Sequence, residues 1–199
     1  LLNLSEYDDK FNILYTGSHG NANNLKTVIE TARILNKKYN DIHFHFIGDG
    51  PEKYNLKSLA NEYDLNNVHF YNSIDKKYIP AVLNKADSLI VTMKDIKLYR
   101  FGISLNKLFD YFASGKAVVF SGNVLNDMVK EAKAGFSVSP ESPKKISNAI
   151  EKLYHMTENK RKQYGENGRK YVKQNHDIPV LVDKLEQMVA ERTRELEEN

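Results

Sequence analysis

The sequence lacks several features that define common classes of protein. Among its 199 residues there is no cysteine, no tryptophan and no uninterrupted run of 18 apolar residues. The missing cysteine excludes a disulfide scaffold, a zinc–cysteine site and a thiol nucleophile within this sequence. The missing apolar run predicts no membrane-spanning helix in it. A large excess of one charge sign is also lacking. The 29 Lys and Arg against 26 Asp and Glu leave a net charge of +3, which is too small to indicate nucleic acid as a partner.

What is present is a strand–helix alternation typical of an α/β domain. The composition, 41% hydrophobic and 28% charged, is that of a folded protein. Short apolar segments alternate with segments of helical periodicity. The predicted strands lie at 12–15, 42–47, 68–71, 88–91, 117–120 and 136–138, and the longer helices between them at 25–35, 75–86, 105–114 and 124–134. We therefore predict a Rossmann-like parallel sheet of about six strands, with helices on both faces and extra C-terminal helices after Pro143.

The loops that follow the strands are the predicted ligand-binding edge. In parallel sheets of this kind, ligands bind outside the carboxyl ends of the strands. Here those ends are the loops at 17–24, 48–51, 72–75 and 93–104.

The first of these loops carries Gly17, Ser18, His19 and Gly20 between a strand and a helix. Backbone N–H groups in such a loop can meet a phosphate, and His19 is a candidate donor to it. The G-x-G-x-x-G spacing of dinucleotide-binding proteins is absent, and no Gly-Lys-Ser/Thr follows. A tight turn required by packing is the alternative explanation.

The segment Tyr99–Tyr111 combines charged side chains with a predicted helix N-terminus. Ser104 is placed to cap this helix, and Lys107 lies in its first turn, where the helix dipole disfavours a cation. A lysine there fits an anion at the helix N-terminus, with Arg100 as a second cation. Asp110 lies among aromatic residues, and sugar hydroxyls would satisfy its carboxylate. The alternative is a Lys107–Asp110 pair on an ordinary amphipathic helix.

Motifs for other chemistry are absent. No G-x-S-x-G elbow and no His-Glu-x-x-His zinc motif occurs. His43 and His45 share one strand face without a third ligand at useful spacing, so we interpret them as packing residues and predict no metal site. The basic residues of 158–173 alternate with acidic and polar ones, which indicates a solvated helix face.

A series of motifs follows the chain in a fixed order. They are Phe46 to Pro51, Asn67 to Asn72, Ala86 to Val91, Asn106 to Val119, Gly135 to Val138 and Asn167-Gly168-Arg169. Together they cover about residues 11 to 190, and they resemble the nucleotide-sugar-binding domain of the group 1 (family 4) glycosyltransferases.

The resemblance implies one half of a GT-B fold and a retaining, metal-independent transfer from a nucleotide-diphosphate sugar, without a further cofactor. It places the loop Gly17 to Gly20 near the diphosphate and the ribose hydroxyls on Asp110. It places the nucleobase against the loop after the third strand, and the diphosphate and sugar against the start of the helix that carries Lys107. The residues that would meet the nucleobase are Ser73 and Ile74. Those that would face the diphosphate and the sugar are Gly102, Ile103, Ser104 and Asn106.

This sequence departs from the family's pattern at three positions. The first motif glutamate falls on Gly102, the phosphate arginine on Ser18 and a further lysine on Asn23. Our hypothesis is that Lys107 and Arg100 stabilise the leaving diphosphate instead; no other catalytic residue is assigned.

The family has two similar domains, and this sequence begins with Leu1, so we expect a piece of a longer protein. Residues 1–10 are then a domain-junction segment, 11–176 the donor-binding domain, and 177–199 a helix that packs on the N-terminal domain. That domain would bind a sugar or lipid-linked acceptor and would supply any membrane association. The resemblance implies UDP ahead of GDP, a cytoplasmic enzyme at most peripheral at the inner face of the plasma membrane, and a role in bacterial cell-surface polysaccharide or glycolipid synthesis. The fragment alone is expected to be inactive.

Three other functions compete with this one. A non-catalytic nucleotide-sugar-binding module stays open because Gly102 stands where the family has a glutamate. A sugar-nucleotide epimerase domain would need carboxylates and histidines for acid–base chemistry in the cleft, and we find no such set. An NAD-binding oxidoreductase is disfavoured by the absent glycine fingerprint.

Overall fold

Six parallel strands form the central layer of the domain. The computed structural model describes residues 7–197, and its sheet has the order β3-β2-β1-β4-β5-β6 with every neighbouring pair parallel. The predicted α/β class and Rossmann-like sheet are thereby confirmed. The strands are β1 (Phe11–Thr16), β2 (Ile42–Ile47), β3 (Val68–Tyr71), β4 (Ser88–Thr92), β5 (Ala117–Ser121) and β6 (Gly135–Val138).

Helices cover both faces of this sheet. Within the described residues they are α1 (Leu25–Asn36), α2 (Lys53–Glu62), α3 (Ile79–Leu83), α4 (Asn106–Ser114), α5 (Met128–Glu131), α6 (Pro143–Tyr154), α7 (Glu158–Asn175) and α8 (Ile178–Glu197).

The apolar core lies in two layers, one on each face of the sheet. Every residue of the central strand β1 is buried, because helices cover it on both sides. Ile13 points to the layer that contains α1 and α6, and Leu14 points to the layer that contains α4. The continuous apolar character of the strands follows from this double burial.

The predicted helix over residues 75–86 is shorter than the sequence pattern indicated. A 3-10 turn at Lys76–Tyr78 comes first, and α3 then begins with Pro80 in its first turn, where the missing N–H leaves no hydrogen bond unmade. Asp75 precedes the 3-10 turn, but its side chain makes no capping hydrogen bond.

The predicted helix over residues 124–134 is also wrong in extent, since only α5 is helical. Asp127 Oδ1 accepts from the Lys130 N–H at 3.0 Å and starts the helix there. The preceding Asn126 is held in a non-helical segment by two hydrogen bonds to the backbone of Ile103.

The two predicted ends of α4 have different outcomes. The N-cap position is Leu105 and no side chain caps the helix, so the prediction of Ser104 as a cap is wrong. Gly115, the residue after the predicted end at 114, closes the helix in the left-handed conformation, at φ 70°. Arg169 of α7 stabilises this end, because its guanidinium donates to the carbonyls of Ala113 and Ser114 at 3.2 and 3.0 Å.

The last helix exposes an apolar face. No helix among residues 7–197 combines the length and apolarity that crossing a membrane requires. The packing of 177–199 on another domain stays a prediction, as does the junction role of 1–10, of which 1–6 lie outside the described residues. The exposed apolar side chains of α8 are Ile178, Leu181, Val182, Leu185, Met188, Val189 and Leu196.

Candidate functional site

The loops after β1 and β2 are stacked at the carboxyl edge of the sheet. The His19 N–H donates to Asp49 O at 2.8 Å, and the Glu52 N–H donates to His19 O at 2.9 Å. Gly48 has a φ of 144°, and a Cβ there would lie only 2.0 Å from Gly17 O. Glycine at position 48 is therefore a condition for the close approach of the two loops.

The loop after β4 is joined to the same structure. Thr92 Oγ1 donates to Asn23 O at 2.6 Å, and the Lys94 N–H donates to Ala22 O at 3.1 Å. The predicted ligand edge is thus a connected set of loops rather than separate turns.

Lys107 projects from the first turn of α4 toward the glycine loop. Its Nζ donates to Tyr15 Oη at 2.7 Å and to Asn23 Oδ1 at 3.3 Å, and it lies 3.3 Å from the point that a Cβ on Gly17 would occupy. The alternative of a Lys107–Asp110 surface pair is not what the structure contains: among residues 7–197, no carboxylate lies within ion-pair distance of Lys107. Burial lowers the pKa of Lys107 to about 8. This ammonium group, half-buried and held by neutral oxygens, is suited to an anion.

His19 is fully buried beneath the stacked loops. Its two ring nitrogens have no hydrogen-bond partner among the described residues. Burial, helped by the positive charges of Lys53 and Lys107, lowers the pKa of His19 to about 4. At neutral pH the imidazole is therefore uncharged. In this conformation the backbone of His19, and not its ring, holds the loop.

Ser18 and Gly17 are exposed at the top of the glycine loop, and Gly20 is half-buried. Ser18 O accepts from Tyr15 Oη at 2.7 Å, which fixes the loop directly above the end of β1. A 3-10 turn follows at Asn21–Asn23 and leads into α1. The N-terminus of this 12-residue helix thus adjoins the glycine loop, as the sequence predicted.

Asp110 is exposed on α4, one turn beyond Lys107. The neighbouring Tyr111 is fully buried, and its Oη accepts from the N–H of Thr16 at 2.8 Å. Burial raises the pKa of Tyr111 to about 12. Tyr111 therefore fixes α4 against the end of β1, and the carboxylate of Asp110 is left available to a polar ligand.

Gly102 and Ile103 lie just before α4, where the side chain of Asn126 holds the backbone of Ile103. The Ile103 N–H donates to Asn126 Oδ1 at 2.9 Å, and Asn126 Nδ2 donates to Ile103 O at 2.8 Å. Arg100 pairs with Asp95 at 3.3 Å on the exposed part of this loop. The structure thus brings Lys107 to the glycine loop and gives Arg100 an acidic partner of its own.

Ser104 and Asn106 are exposed at the start of α4. Ser73 is exposed after β3, and Ile74 is half-buried against the layer that contains α4. Apart from Asp110, which lies one turn further along α4, the predicted site residues are therefore in the loops and helix starts at the carboxyl edge.

Lys53 is a residue of this edge that the sequence analysis missed. It is buried at the start of α2, and its Nζ donates to Gly48 O at 2.8 Å and to Tyr71 O at 3.0 Å. A signal was present, because a lysine in the first turn of a helix after Gly-Asp-Gly-Pro is the same anomaly that singled out Lys107.

The histidines of the sheet pack against each other, as predicted. His43 Nδ1 lies 2.8 Å from His69 Nε2, and His45 Nε2 lies 2.9 Å from Asn12 Oδ1. Across residues 7–197, no group of three His, Cys, Asp or Glu side chains is arranged to hold a metal ion.

Two grooves border the edge. One of about 140 Å³ opens at the start of α1, beside Gly20, Asn24 and Lys94. The other, of about 880 Å³, runs along the edge strand β6 from Lys133, before its amino end, to Ser139, past its carboxyl end, where Asp95 and Asn123 also line it.

The chain thus folds as a Rossmann-like domain with Lys53 and Lys107 at the carboxyl edge of its sheet. Residues 3–171 match the family model described as glycosyl transferases group 1. The chain therefore belongs to the group 1 glycosyltransferases.

Two curated relatives are described as glycosyltransferases. The chain is 26% identical over 175 residues to the uncharacterized glycosyltransferase MJ1069 of Methanocaldococcus jannaschii. The aligned region covers 85% of this chain and 42% of that protein. It is 25% identical over 164 residues to the putative glycosyltransferase EpsD of Bacillus subtilis. This aligned region covers 82% of this chain and 41% of that protein. The chain thus spans about two fifths of the length of these relatives.

Solved structures of glycosyltransferases share the fold. HepE of Anabaena in complex with UDP and glucose has a TM-score of 0.76 at 17% identity, over 92% of this chain and 49% of that one. A mutant of TarM from S. aureus, in complex with UDP and other ligands, has a TM-score of 0.75 at 14% identity, over 89% of this chain and 35% of that one. The C-terminal domain of LpcC from Francisella tularensis has a TM-score of 0.69 at 21% identity, over 84% of this chain and 87% of that one.

Proposed function

We propose that this chain is the donor-binding part of a retaining, metal-independent glycosyltransferase that uses a nucleotide-diphosphate sugar, with UDP ahead of GDP. The observation that carries the proposal is the ammonium group of Lys107, which lies against the glycine loop with two neutral acceptors, Tyr15 and Asn23. The presence of UDP in two solved structures of the same fold supports the choice of nucleotide.

The diphosphate would lie between the glycine loop and the start of α4. Backbone N–H groups at the starts of α1 and α4 supply partial positive charge there, and Lys107 supplies a full charge. The ribose hydroxyls would donate to Asp110, and Ser73 and Ile74 would meet the nucleobase. Gly102, Ile103, Ser104 and Asn106 would face the sugar and the diphosphate.

In the transfer, the bond between the anomeric carbon and the diphosphate oxygen breaks, and its electron pair stays on that oxygen. Lys107 and the two helix N-termini would stabilise the charge that develops there. The acceptor oxygen forms the new bond on the same face of the sugar, and its proton leaves with the departing diphosphate. The chain's contribution is thus electrostatic, and no protein nucleophile is needed. Arg100 would stabilise the diphosphate only after its ion pair with Asp95 has opened.

The whole protein would bring a sugar or lipid-linked acceptor to this site with a second domain. In the proposal it is a cytoplasmic enzyme, at most peripheral at the inner face of the plasma membrane, in bacterial cell-surface polysaccharide or glycolipid synthesis. Residues 11–176 form the donor-binding domain, and α8 packs on the second domain through its exposed apolar face.

The test is a calorimetric titration of the chain with UDP, GDP, UDP-glucose, UDP-N-acetylglucosamine and NAD. Saturable binding of one nucleoside diphosphate, weakened by both Lys107→Met and Asp110→Ala, is the expected result. Binding of NAD alone would refute the proposal. Activity that persists with EDTA in the full-length protein would support the metal-independent mechanism.

A second candidate is a nucleotide-sugar-binding module without activity. Gly102 favours it, because no carboxylate stands at the position of the family's first motif glutamate. The two candidates separate in the full-length protein: the module binds donor but transfers no sugar to any acceptor and hydrolyses none.

A further inference from the structure

Lys53 is a buried cation that joins the ends of two strands. It is 9% exposed at the first residue of α2. Its Nζ donates to Gly48 O at 2.8 Å, to Tyr71 O at 3.0 Å and to Asn72 Oδ1 at 3.1 Å. An ammonium group has three donors, so each of them has a partner at the carboxyl edge.

The electrostatic surroundings of Lys53 do not favour a charge at this position. The start of a helix disfavours a cation, and the nearest carboxylate oxygen among the described ion pairs, that of the exposed Asp49, lies 4.0 Å from Lys53 Nζ. An apolar side chain of the same shape would avoid the desolvation of a charge. The use of Lys53 therefore lies in what its three hydrogen bonds hold together.

The three acceptors lie where β2 and β3 end and two loops of the candidate site begin. Gly48 precedes Asp49, whose carbonyl holds the backbone of His19 in the glycine loop. Asn72 opens the loop that contains Ser73 and Ile74. One ammonium group thus connects the structure beneath the glycine loop with the loop after β3.

We propose that Lys53 is a positioning residue of the donor site that sets the spacing between its diphosphate-binding and nucleobase-binding loops. This inference rests on the proposed function. With both loops bound to Lys53, the two ends of a nucleoside diphosphate meet contacts whose separation is fixed before the ligand arrives. Such pre-organisation raises affinity because less ordering remains for the binding step.

The test compares Lys53→Met with the unchanged chain in NMR titrations with UDP, uridine and pyrophosphate. UDP spans both loops, so its affinity should fall about tenfold, whereas uridine and pyrophosphate engage one loop each and should change by less than about twofold. Lys57→Met, one turn later on the exposed side of α2, is the matched control and should change no affinity. An equal loss for UDP and pyrophosphate would overturn the inference, because Lys53 would then act as a direct phosphate ligand.

Hydrogen exchange of the ligand-free chain gives a readout that needs no nucleotide. In Lys53→Met, amide protection should fall about tenfold at His19 and Gly48, whose N–H groups donate to Asp49 O and Tyr71 O, and stay unchanged in β5. Unchanged protection at both amides would overturn the inference. If the unchanged chain binds no nucleoside diphosphate, the proposed function fails, while exchange still decides whether Lys53 holds the two loops. Should Lys53→Met not fold, Asn72→Ala removes one acceptor from an exposed position and takes its place in both measurements.

Discussion

The Nζ of Lys107 lies 2.7 Å from the hydroxyl oxygen of Tyr15 and 4.2 Å from the centre of its ring. One cation therefore connects the start of α4 with the end of β1. Burial raises the pKa of Tyr15 well above its ordinary value, so the phenol stays neutral. The tyrosine orients the ammonium group without neutralising it, and the charge remains available to a ligand.

Removing this charge should weaken the binding of nucleoside diphosphates. We expect Lys107→Met to lower the affinity for UDP by about 10- to 100-fold, because a charge-assisted contact in a partly buried site is lost. Isothermal calorimetry measures the change. Lys170→Met, on the exposed side of α7, is the control. A UDP affinity within twofold of the unchanged chain would show that Lys107 does not meet the diphosphate.

The same lysine gives binding a pH dependence. Its pKa is about 8, against 10.5 for an ordinary lysine, because it is buried. UDP should therefore bind more weakly as the pH rises through 8, and binding near pH 8 to 9 should take up a proton. In the ligand-free chain the sign is opposite: between pH 8 and 10.5 the unfolded state holds a proton that the folded state has released, so the free energy of unfolding rises with pH.

Calorimetry in buffers of different ionisation enthalpy detects the proton uptake, and urea titrations at pH 7, 8.5 and 10 detect the stability change. Both effects should disappear in Lys107→Met. Equal pH profiles for Lys107→Met and the unchanged chain would contradict this account.

His19 should make the domain sensitive to acid. Its folded pKa of about 4 lies below the ordinary 6.5, so the unfolded state binds the extra proton first. Its contribution to stability is complete above pH 6.5 and is lost as the pH falls toward 4, by about 2 to 3 kcal/mol at 1.4 kcal/mol per pKa unit. His45, whose pKa burial lowers to about 3, adds to the same loss.

Urea unfolding between pH 7 and 4 measures this dependence. His19→Gln should flatten it, because the buried imidazole that takes up the proton is then absent. If His19→Gln is as sensitive to acid as the unchanged chain, His19 is not the group that titrates.

A side chain at Gly48 should separate the first two loops. In Gly48→Ala the new Cβ would meet Gly17 O at 2.0 Å with φ at 144°, and neither backbone can move freely. We expect a loss of about 3 kcal/mol or more in the free energy of unfolding. Gly20→Ala is the control for stability, because its Cβ would meet Ser18 Oγ at an ordinary 3.4 Å. Equal stabilities of the two variants would show that the loops can separate at little cost.

The strands and the ligand edge could be predicted because their signals are local. Apolar runs such as Ile42–Ile47 end at glycine turns, and in a parallel sheet the loops that follow the strands lie at one edge. Lys107 was recognisable for a similar reason, since its position conflicts with the helix dipole.

The errors come from contacts between distant parts of the chain. Residues 124–127 have helical periodicity, but Asn126 bonds the backbone of Ile103, 23 positions earlier, and no local pattern encodes that contact. The cap predicted at Ser104 failed for a related reason, because that bond fixes the approach to α4. The role of Lys53 depends equally on Tyr71, 18 positions later.

The strand order has a consequence for how binding can be used. At β1 the chain turns outward to β2 and later returns to β4 on the other side, so that α1 and α4 lie in opposite layers yet begin beside the same crevice. A ligand held by both helix starts requires both layers to be packed. Nucleotide titration would then serve as an assay of folding: a variant that loosens either layer should lose binding in proportion to the fraction of molecules that have unfolded.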